Sequence, residues 1–259
     1  MIFFRSYFKY IYHFVTARNT RGFGVHSPFV FQFTRFVICE KNPFYNFIAI
    51  ENLRNSLKKD KSKLLVTDFG TGTDNEKTVS TIAKHSLKPA KQAQLLFRIC
   101  YYFKSQNVLE LGTSLGITTS YLASSSAEIK CVSLEGCPEI AHVASDNFEK
   151  LGLKNIEIVV GNIDDTLEHV LNDVPKLDLI FIDANHRSEA VIKYFELCLL
   201  KGHNETVFVI DDIYWSNDME KAWSLLKVHP SVTTTIDLFC MGIIFLNKKL
   251  TKTNYIMRY

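Results

Sequence analysis

The sequence predicts an α/β protein built on a doubly wound, mostly parallel sheet. Between residues 108 and 246, short apolar runs alternate with segments whose apolar residues recur at helical spacing. The run 177–182 is nearly all apolar, as expected for a strand that is buried on both faces. The last two runs, 232–238 and 241–246, are separated by a short turn, which predicts an antiparallel pair at the end of the fold.

The clearest local signal is a strand, a glycine loop and a helix at 108–123. Gly112 follows the apolar run 108–111 and lets the backbone turn with no side chain in the way of a ligand. Gly116 opens a helix whose free N–H groups face the same crevice. The loop therefore predicts a nucleotide-like ligand. A glycine-containing turn that binds nothing is the alternative.

The residues of the loop narrow the choice of ligand. A dinucleotide-binding loop has the pattern Gly-x-Gly-x-x-Gly, whereas this loop has Ser114 at the third position and the spacing Gly-x-x-x-Gly. Pyrophosphate is therefore disfavoured. Glu110, two residues before Gly112, would repel phosphates but suits a cationic amino-acid ligand.

A second acid follows at the end of the next predicted strand. The run 129–134 leads into Glu135 and Gly136, 25 residues after Glu110. An acid in this position can accept hydrogen bonds from both ribose hydroxyls of a nucleoside. A solvated loop charge is the alternative interpretation of Glu135.

Together these residues resemble motif I and the second acid of the class I S-adenosylmethionine (SAM) dependent methyltransferases. The resemblance covers residues 90–247 and is specific in motif I, Glu135, Asp183 and the closing hairpin. It implies a Rossmann-like, seven-stranded sheet that ends in an antiparallel hairpin. It also implies a set of SAM-binding residues: Glu110, Gly112, Thr113, Ser114, Gly116, Glu135, Gly136, Asn162, Ile163 and Asp183.

One position departs from the family pattern. The third strand, 156–160, is followed by Gly161, and the family usually has an acid beside the adenine at this point. This chain has Asn162 there. Asn162, Ile163 and Asp164 therefore all remain candidate adenine contacts.

Three aspartates end the fourth and fifth predicted strands. Asp183 follows the run 177–182, and Asp211 and Asp212 follow 206–210. Open α/β sheets bind ligands at the carboxyl ends of their strands, so the three carboxylates are expected to converge. Hard oxygen ligands favour Mg²⁺, Ca²⁺ or Mn²⁺. Alternatively, these aspartates cap the helix or turn that follows.

The same acids extend the resemblance to the catechol, caffeoyl-CoA and macrolide-sugar O-methyltransferases, which bind a divalent metal at these strand ends. The first two families have Asn where Asp212 stands. They often place a Lys or His three residues after the first acid, where this chain has His186. The resemblance implies metal-assisted methyl transfer to a hydroxyl of a small molecule, with Asp183 and His186 as catalytic residues. A metal-independent methyltransferase acting on nitrogen or on a macromolecule, and a non-catalytic SAM-binding protein, are the alternatives.

Residues 1–87 lie outside the resemblance and are predicted to form a mainly helical extension ahead of a methyltransferase domain at 88–259. Fifteen of the 33 aromatic residues fall within the first 47 positions. An apolar stripe at helical spacing predicts an amphipathic helix that packs on the same chain or on a second subunit, with a membrane surface as the alternative. The stripe consists of Phe4, Tyr7, Phe8, Ile11, Phe14 and Val15.

Two further stretches of the extension bear on function. In the loop 21–29, Arg21 and His26 could line a substrate pocket, but residues of this kind more often cap helices. The stretch 64–73 contains a second glycine pair, yet no apolar helix opens after Gly72, so it is not expected to bind a nucleotide.

Bulk properties exclude little but set expectations. The net charge is +3 with no dense Lys/Arg run, so a nucleic-acid partner is not implied. No Cys-x-x-Cys spacing occurs among the six cysteines, which predicts free thiols in a reducing cytoplasm. Neither a signal peptide nor a transmembrane helix is predicted, because Arg5 and Lys9 interrupt the first apolar run.

Overall fold

A computed structural model describes residues 2–68 and 73–259, with the side chains of 2–7, 68, 73 and 74 outside the description. Helices and strands alternate along the chain, which confirms the predicted α/β class. The helices are α1 (Ile2–Thr16), α2 (Pro28–Phe33), α3 (Asn46–Leu57), α4 (Val79–His85), α5 (Ala90–Phe103), α6 (Ile117–Ala123), α7 (Pro138–Lys150), α8 (Ile163–Asp173), α9 (Ser188–Leu199) and α10 (Asn217–Val228), with a 3₁₀ turn at Thr20–Gly22 and a π-helical turn at Thr34–Ile38. The strands are β1 (Lys63–Asp68), β2 (Thr73–Thr78), β3 (Asn107–Leu111), β4 (Lys130–Glu135), β5 (Ile156–Val160), β6 (Leu179–Ile182), β7 (Val207–Asp211), β8 (Thr234–Asp237), β9 (Met241–Phe245) and β10 (Thr253–Ile256).

Two compact units are formed, one by residues 41–175 and the other by residues 1–40 with 176–259. The first 40 residues thus group with the C-terminal part of the chain, and residues 41–87 group with 88–175. The predicted division into an extension, 1–87, and a methyltransferase domain, 88–259, stays a prediction.

In the 41–175 unit, strands β3, β4 and β5 run parallel, and Glu110 of β3 lies opposite Ser133 of β4. The strands β3 and β4 are mostly buried. Helices α3, α5 and α6 contribute Phe47, Phe97 and Tyr121 to one apolar cluster, whose rings lie in edge-to-face or tilted contact. Burial of this apolar surface stabilises the unit.

In the other unit, β6 and β7 are parallel neighbours, β9 is antiparallel to both β7 and β8, and β10 is parallel to β8. Strands β3–β9 are the seven that the sequence predicts, and the closing hairpin is confirmed. Strand β10 was not predicted, because a four-residue segment containing Thr253 and Asn254 has no strong apolar alternation.

The second glycine pair lies between β1 and β2, which form an antiparallel pair from Lys63 opposite Thr78 to Asp68 opposite Thr73. A strand rather than a helix follows Gly72, as the sequence predicts. Residues 69–72 themselves lie outside the described part of the chain.

The first helix is confirmed, but the expected packing of its apolar stripe on this chain is wrong for the side chains described. Phe8, Ile11, Phe14 and Val15 are 65%, 40%, 45% and 70% exposed, whereas His13 is 5% exposed. The helix instead packs through the side that carries His13, because the His13 ring has a buried hydrogen-bond acceptor, the carboxylate of Asp237. Coverage of the stripe by a second subunit stays a prediction.

Three smaller expectations can be compared with the structure. The side chain of Ser27 caps α2 by accepting a hydrogen bond from the Val30 N–H at 3.4 Å, while Arg21 and His26 are exposed. All six cysteines are free thiols, four of them buried. Within residues 2–68 and 73–259, no helix combines the length and the apolar character needed to span a membrane.

Candidate active site

The glycine loop of the 41–175 unit has the strained backbone that its sequence predicts. Gly112, Ser114 and Gly116 have φ of +102°, +48° and +77°, in the region that favours glycine. The N–H groups of Gly112 and Thr113 both donate to the Leu134 carbonyl, at 3.0 and 3.2 Å. The path of the turn therefore requires glycine at 112 and 116. The two hydrogen bonds to Leu134 join the loop to the end of β4.

The carboxylate of Glu135 holds the glycine loop through hydrogen bonds to backbone N–H groups. One carboxylate oxygen accepts the backbone N–H of Ser114 at 2.7 Å, and the other accepts the N–H of Cys137 at 3.0 Å. Burial raises the pKa of Glu135, although these backbone hydrogen bonds oppose the increase. Each carboxylate oxygen keeps a second lone pair. The Glu135 carboxylate can therefore hold the loop and still accept a hydrogen bond from a ligand hydroxyl. The alternative interpretation of Glu135 as a solvated loop charge does not describe this side chain.

Glu110 is 0% exposed and belongs to a buried network of hydroxyl groups. Its Oε2 accepts the hydroxyls of Ser133, at 2.6 Å, and of Thr119. The Ser133 hydroxyl also lies 2.6 Å from the hydroxyl of Thr113 in the glycine loop. The other carboxylate oxygen, Oε1, is buried and has no hydrogen-bond partner in the described part of the chain. That oxygen is the one left to meet a cationic ligand group.

Burial raises the pKa of Glu110 to about 7, despite opposing hydrogen bonds from Ser133 and Thr119. Stability should therefore depend on pH through this group. The ordinary value is 4.5, so the contribution is fully present below pH 4.5 and is lost as the pH rises through about 7. The loss amounts to roughly 3 kcal/mol. We expect urea unfolding of Glu110→Gln to lose less stability between pH 5 and 8 than the wild type.

The matched control for this measurement is Glu157→Gln, which changes an exposed carboxyl on strand β5 of the same unit. It should keep the wild-type dependence on pH. Identical pH dependence in the wild type and Glu110→Gln would show that Glu110 is not the titrating group.

The region after β5 is arranged around Asn162. Its side chain caps α8 by accepting the Asp164 N–H at 3.1 Å, and Ile163 begins the helix. Gly161 has φ of +143°, which turns the chain out of the strand. Asn162 thus already has a structural role. The adenine contacts of Asn162, Ile163 or Asp164 stay predictions.

The acidic strand ends belong to the other unit. Ile182 pairs with Ile210, so Asp183 and Asp211 follow neighbouring strands, as predicted. Asp211 is 1% exposed, whereas Asp183 and Asp212 are half-buried. Asp212 has a left-handed backbone, φ +51°, and its N–H donates to the Cys240 carbonyl at 2.9 Å. The left-handed turn changes the direction of the chain between the two consecutive aspartates.

The segment 183–188 carries His186 between β6 and α9. Asn185 has φ of +47°, and its side chain donates to the Tyr194 hydroxyl at 3.2 Å and accepts from Arg187 at 2.9 Å. Asp218 accepts the Ser188 N–H at 2.5 Å and so ties the start of α9 to α10. His186 is half-buried on this fastened segment. His186 therefore lies on an ordered turn near a strand end.

The predicted metal ligands have suitable chemistry but not a suitable arrangement. Across residues 2–68 and 73–259, no three His, Cys, Asp or Glu side chains are grouped so that they could hold a metal ion. Asp183, Asp211 and Asp212 therefore do not form a ligand set as they are placed. The metal site stays a prediction.

Sequence reasoning missed the hydroxyl network around Glu110. A signal was present, because Thr118, Thr119 and Ser120 are consecutive polar residues in a helix that is buried on all sides. Buried hydroxyls require hydrogen-bond partners, and a nearby buried acid is such a partner. The opposition of Glu110 and Ser133 depends on the strand register, which the sequence alone does not specify.

The glycine loop, with Glu135 at the end of the next strand, lies in a parallel α/β unit, which is the arrangement found in class I methyltransferases. Residues 109–213 match the methyltransferase domain family. The predicted resemblance to class I SAM-dependent methyltransferases is confirmed by this match and by the relatives that follow.

Two relatives are catechol O-methyltransferases. That of Mycobacterium tuberculosis is 30% identical over 126 residues, which are 48% of this chain and 56% of the relative. That of Niastella koreensis is 31% identical over 126 residues, which are 48% of this chain and 55% of the relative. The chain spans about half the length of the curated relatives it matches.

Among solved structures, an O-methyltransferase from Bacillus cereus in complex with SAH has a TM-score of 0.57 and 21% identity. The likeness covers 83% of this chain and 96% of that chain. It concerns the fold, and it extends beyond the stretch shared with the catechol O-methyltransferases.

Proposed function

We propose that this protein is a SAM-dependent methyltransferase that acts on a hydroxyl group of a small molecule, with aromatic diols as the first class of acceptor to test. The observation that carries the proposal is the glycine loop whose Ser114 N–H is held by Glu135 at 2.7 Å. The family match at 109–213 supports methyl transfer, and the catechol O-methyltransferase relatives support the acceptor class.

The residues of this chain have distinct roles in the proposal. Glu135 would accept hydrogen bonds from the ribose hydroxyls, and Glu110, whose buried Oε1 has no hydrogen-bond partner in the described part of the chain, would attract the ammonium group of the amino-acid part. SAM, when bound, supplies an electrophilic methyl group. The protein must hold the acceptor oxygen in line with that methyl group and remove its proton.

We assign the proton-accepting role to His186 and assign Asp183 to the orientation of the bound groups. Imidazole is a suitable base at neutral pH. His186 lies three residues after Asp183, on the turn that Asn185 and Asp218 fasten. Because loops fastened at both ends lose little entropy on binding, this turn is a suitable platform for a base.

The test is methyl transfer from labelled SAM with purified full-length protein. The acceptors are an aromatic diol, the matching monohydroxy and amino compounds, and protein and nucleic-acid fractions of a cell extract. We expect label in the diol, and a lower rate but unchanged SAH binding in His186→Gln. Label in amines or macromolecules would replace the proposal with the alternative acceptor class. SAH binding without transfer to any acceptor would favour a non-catalytic SAM-binding protein.

The finer proposal is that Asp183, Asp211 and Asp212 bind Mg²⁺, Mn²⁺ or Ca²⁺. Asp183 and Asp211 lie at the ends of two paired strands, and carboxylates that approach one another there repel at neutral pH unless a cation or protons neutralise them. The prediction is that EDTA abolishes transfer, that Mg²⁺ restores it, and that SAH binding survives EDTA. The second candidate is a metal-independent methyltransferase that acts on nitrogen or on a macromolecule. Full activity in EDTA would establish that candidate.

A homodimer and a cytoplasmic location complete the proposal. The exposed aromatic stripe of α1 supports assembly, and the six free thiols are consistent with a reducing compartment. Sedimentation of the full chain over a range of concentrations would test whether the homodimer forms.

A further inference from the structure

One buried carboxylate joins the N-terminal helix to the rest of its own unit. Asp237, the last residue of β8, is 3% exposed. Its Oδ1 lies 3.0 Å from Nε2 of His13 and accepts the Phe239 N–H at 3.0 Å. Its Oδ2 accepts the Tyr214 hydroxyl at 2.7 Å and the indole N–H of Trp223 at 3.0 Å. Both oxygens are thus shared between donors from different segments.

The donor set keeps Asp237 ionised. Burial alone would raise the pKa of this carboxyl, but hydrogen bonds from His13, Tyr214 and the Phe239 N–H bring it below its ordinary value. A carboxylate only accepts hydrogen bonds, so Nε2 of His13 carries the proton in this contact. His13 is 5% exposed, and α1 therefore inserts a polar side chain where an apolar one would leave the carboxylate short of a donor.

Tyr214 connects this carboxylate to the segment at the carboxyl end of β7, which is where open α/β sheets bind ligands. It lies in the segment 212–216, which follows β7 and begins with Asp212. The ring of Tyr214 stacks on that of Phe239 at 5.2 Å and 18°, and His13 contacts the Phe239 ring edge-on at 5.4 Å. The Trp215 N–H donates to the Asp212 carbonyl at 2.9 Å. The segment is therefore a compact turn that is fastened by Tyr214.

We infer that His13 is a positioning residue: acting through Asp237, it holds Tyr214 and with it the 212–216 segment in place for binding the methyl acceptor. The inference rests on the proposed function, in which His186 and Asp183 act just after β6, the strand that pairs with β7. It assigns the N-terminal helix to the acceptor side of the reaction, although α1 lies outside the stretch that matches the methyltransferase family.

The first measurement is hydrogen exchange of the 212–216 amides in the full-length protein, which does not depend on activity. His13→Phe keeps a ring but removes the donor, and exchange should become faster in this segment because local opening becomes easier. His13→Gln, whose amide N–H₂ can reach the same oxygen, should restore slow exchange. Val15→Ala is the matched control, since Val15 lies on the same helix and is 70% exposed.

The second measurement is kinetic and separates positioning from a merely structural role. We expect the KM for the acceptor to rise roughly tenfold in His13→Phe and to recover in His13→Gln, with the KM for SAM changed by less than about twofold. Tyr214→Phe should have a similar effect alone and little additional effect in the His13→Phe background, because the two residues act through one carboxylate. Tyr214→Phe also tests the inference if His13→Phe does not fold.

Several outcomes would overturn the inference. One is a wild-type rate of hydrogen exchange at 212–216 in both His13→Phe and Tyr214→Phe. Another is fully additive effects of the two changes on the KM for the acceptor. The third is faster exchange of these amides with an unchanged KM for the acceptor. A wild-type protein that transfers no methyl group would overturn the proposed function instead. The coupling of His13 to the 212–216 segment would then be decided by the exchange measurement alone.

Discussion

Replacing Glu135 with alanine is expected to weaken the binding of S-adenosylhomocysteine by about 10- to 150-fold, which corresponds to roughly 1.5–3 kcal/mol for a lost charge-assisted hydrogen bond. Two effects act in the same direction. The carboxylate that would accept the ribose hydroxyls is removed, and the N–H groups of Ser114 and Cys137 lose their acceptor. The glycine loop then loses the contact that holds it in shape for the ligand. Isothermal titration calorimetry measures the affinity.

Two variants make the measurement specific. Glu157→Ala removes an exposed carboxylate from the neighbouring strand and should bind the ligand as the wild type does. Glu135→Gln keeps one acceptor oxygen and should lose part of the affinity. Unchanged affinity in Glu135→Ala would refute the assigned ligand site, and tight binding of NAD in its place would change the class of ligand.

Replacing Gly116 with alanine is expected to cost about 1–2 kcal/mol for a left-handed backbone and about 1–3 kcal/mol more for overpacking. Gly116 has φ of +77°, and a Cβ there would lie 2.6 Å from the Phe148 ring and 3.1 Å from the Cβ of Ala144. Phe148 is 5% exposed, so its ring has little room to move. The strain should disturb the loop and weaken S-adenosylhomocysteine binding as well as lower the stability.

Gly152→Ala is the control that separates the cost of the contact with Phe148 from the cost of the left-handed backbone. Gly152 has φ of +69°, and a Cβ there would have nothing within 4 Å. It should show the backbone cost alone and keep the wild-type affinity. Urea unfolding measures both changes, and Phe148→Leu in the Gly116→Ala background should recover part of the lost stability. Equal losses in the two glycine variants would show that the contact with Phe148 has no energetic weight.

The N-terminal helix has a consequence for assembly. Its less apolar side, with His13, is buried against Asp237, and its aromatic stripe is exposed. Sequence patterning predicted the helix correctly but chose the wrong face for the intrachain contact. A hydrophobic stripe indicates a surface that avoids water, but it does not indicate whether the same chain or another one covers it.

The sequence by itself determined the order of strands and helices in the methyltransferase region, the closing hairpin, the glycine loop and the acid that follows it. These are local properties. Periodicities of two and 3.6 residues follow from strand and helix geometry, and the glycines at 112 and 116 follow from the backbone that the turn requires.

The tertiary structure decided which side chains meet. Glu110 is joined to Thr119 and Ser133, nine and 23 residues away, and His13 to Asp237, 224 residues away. It also left Asp183, Asp211 and Asp212 without the grouping that a metal ion needs. The physical reason is that such contacts depend on strand register and on the face that each helix buries, and neither is specified by local spacing.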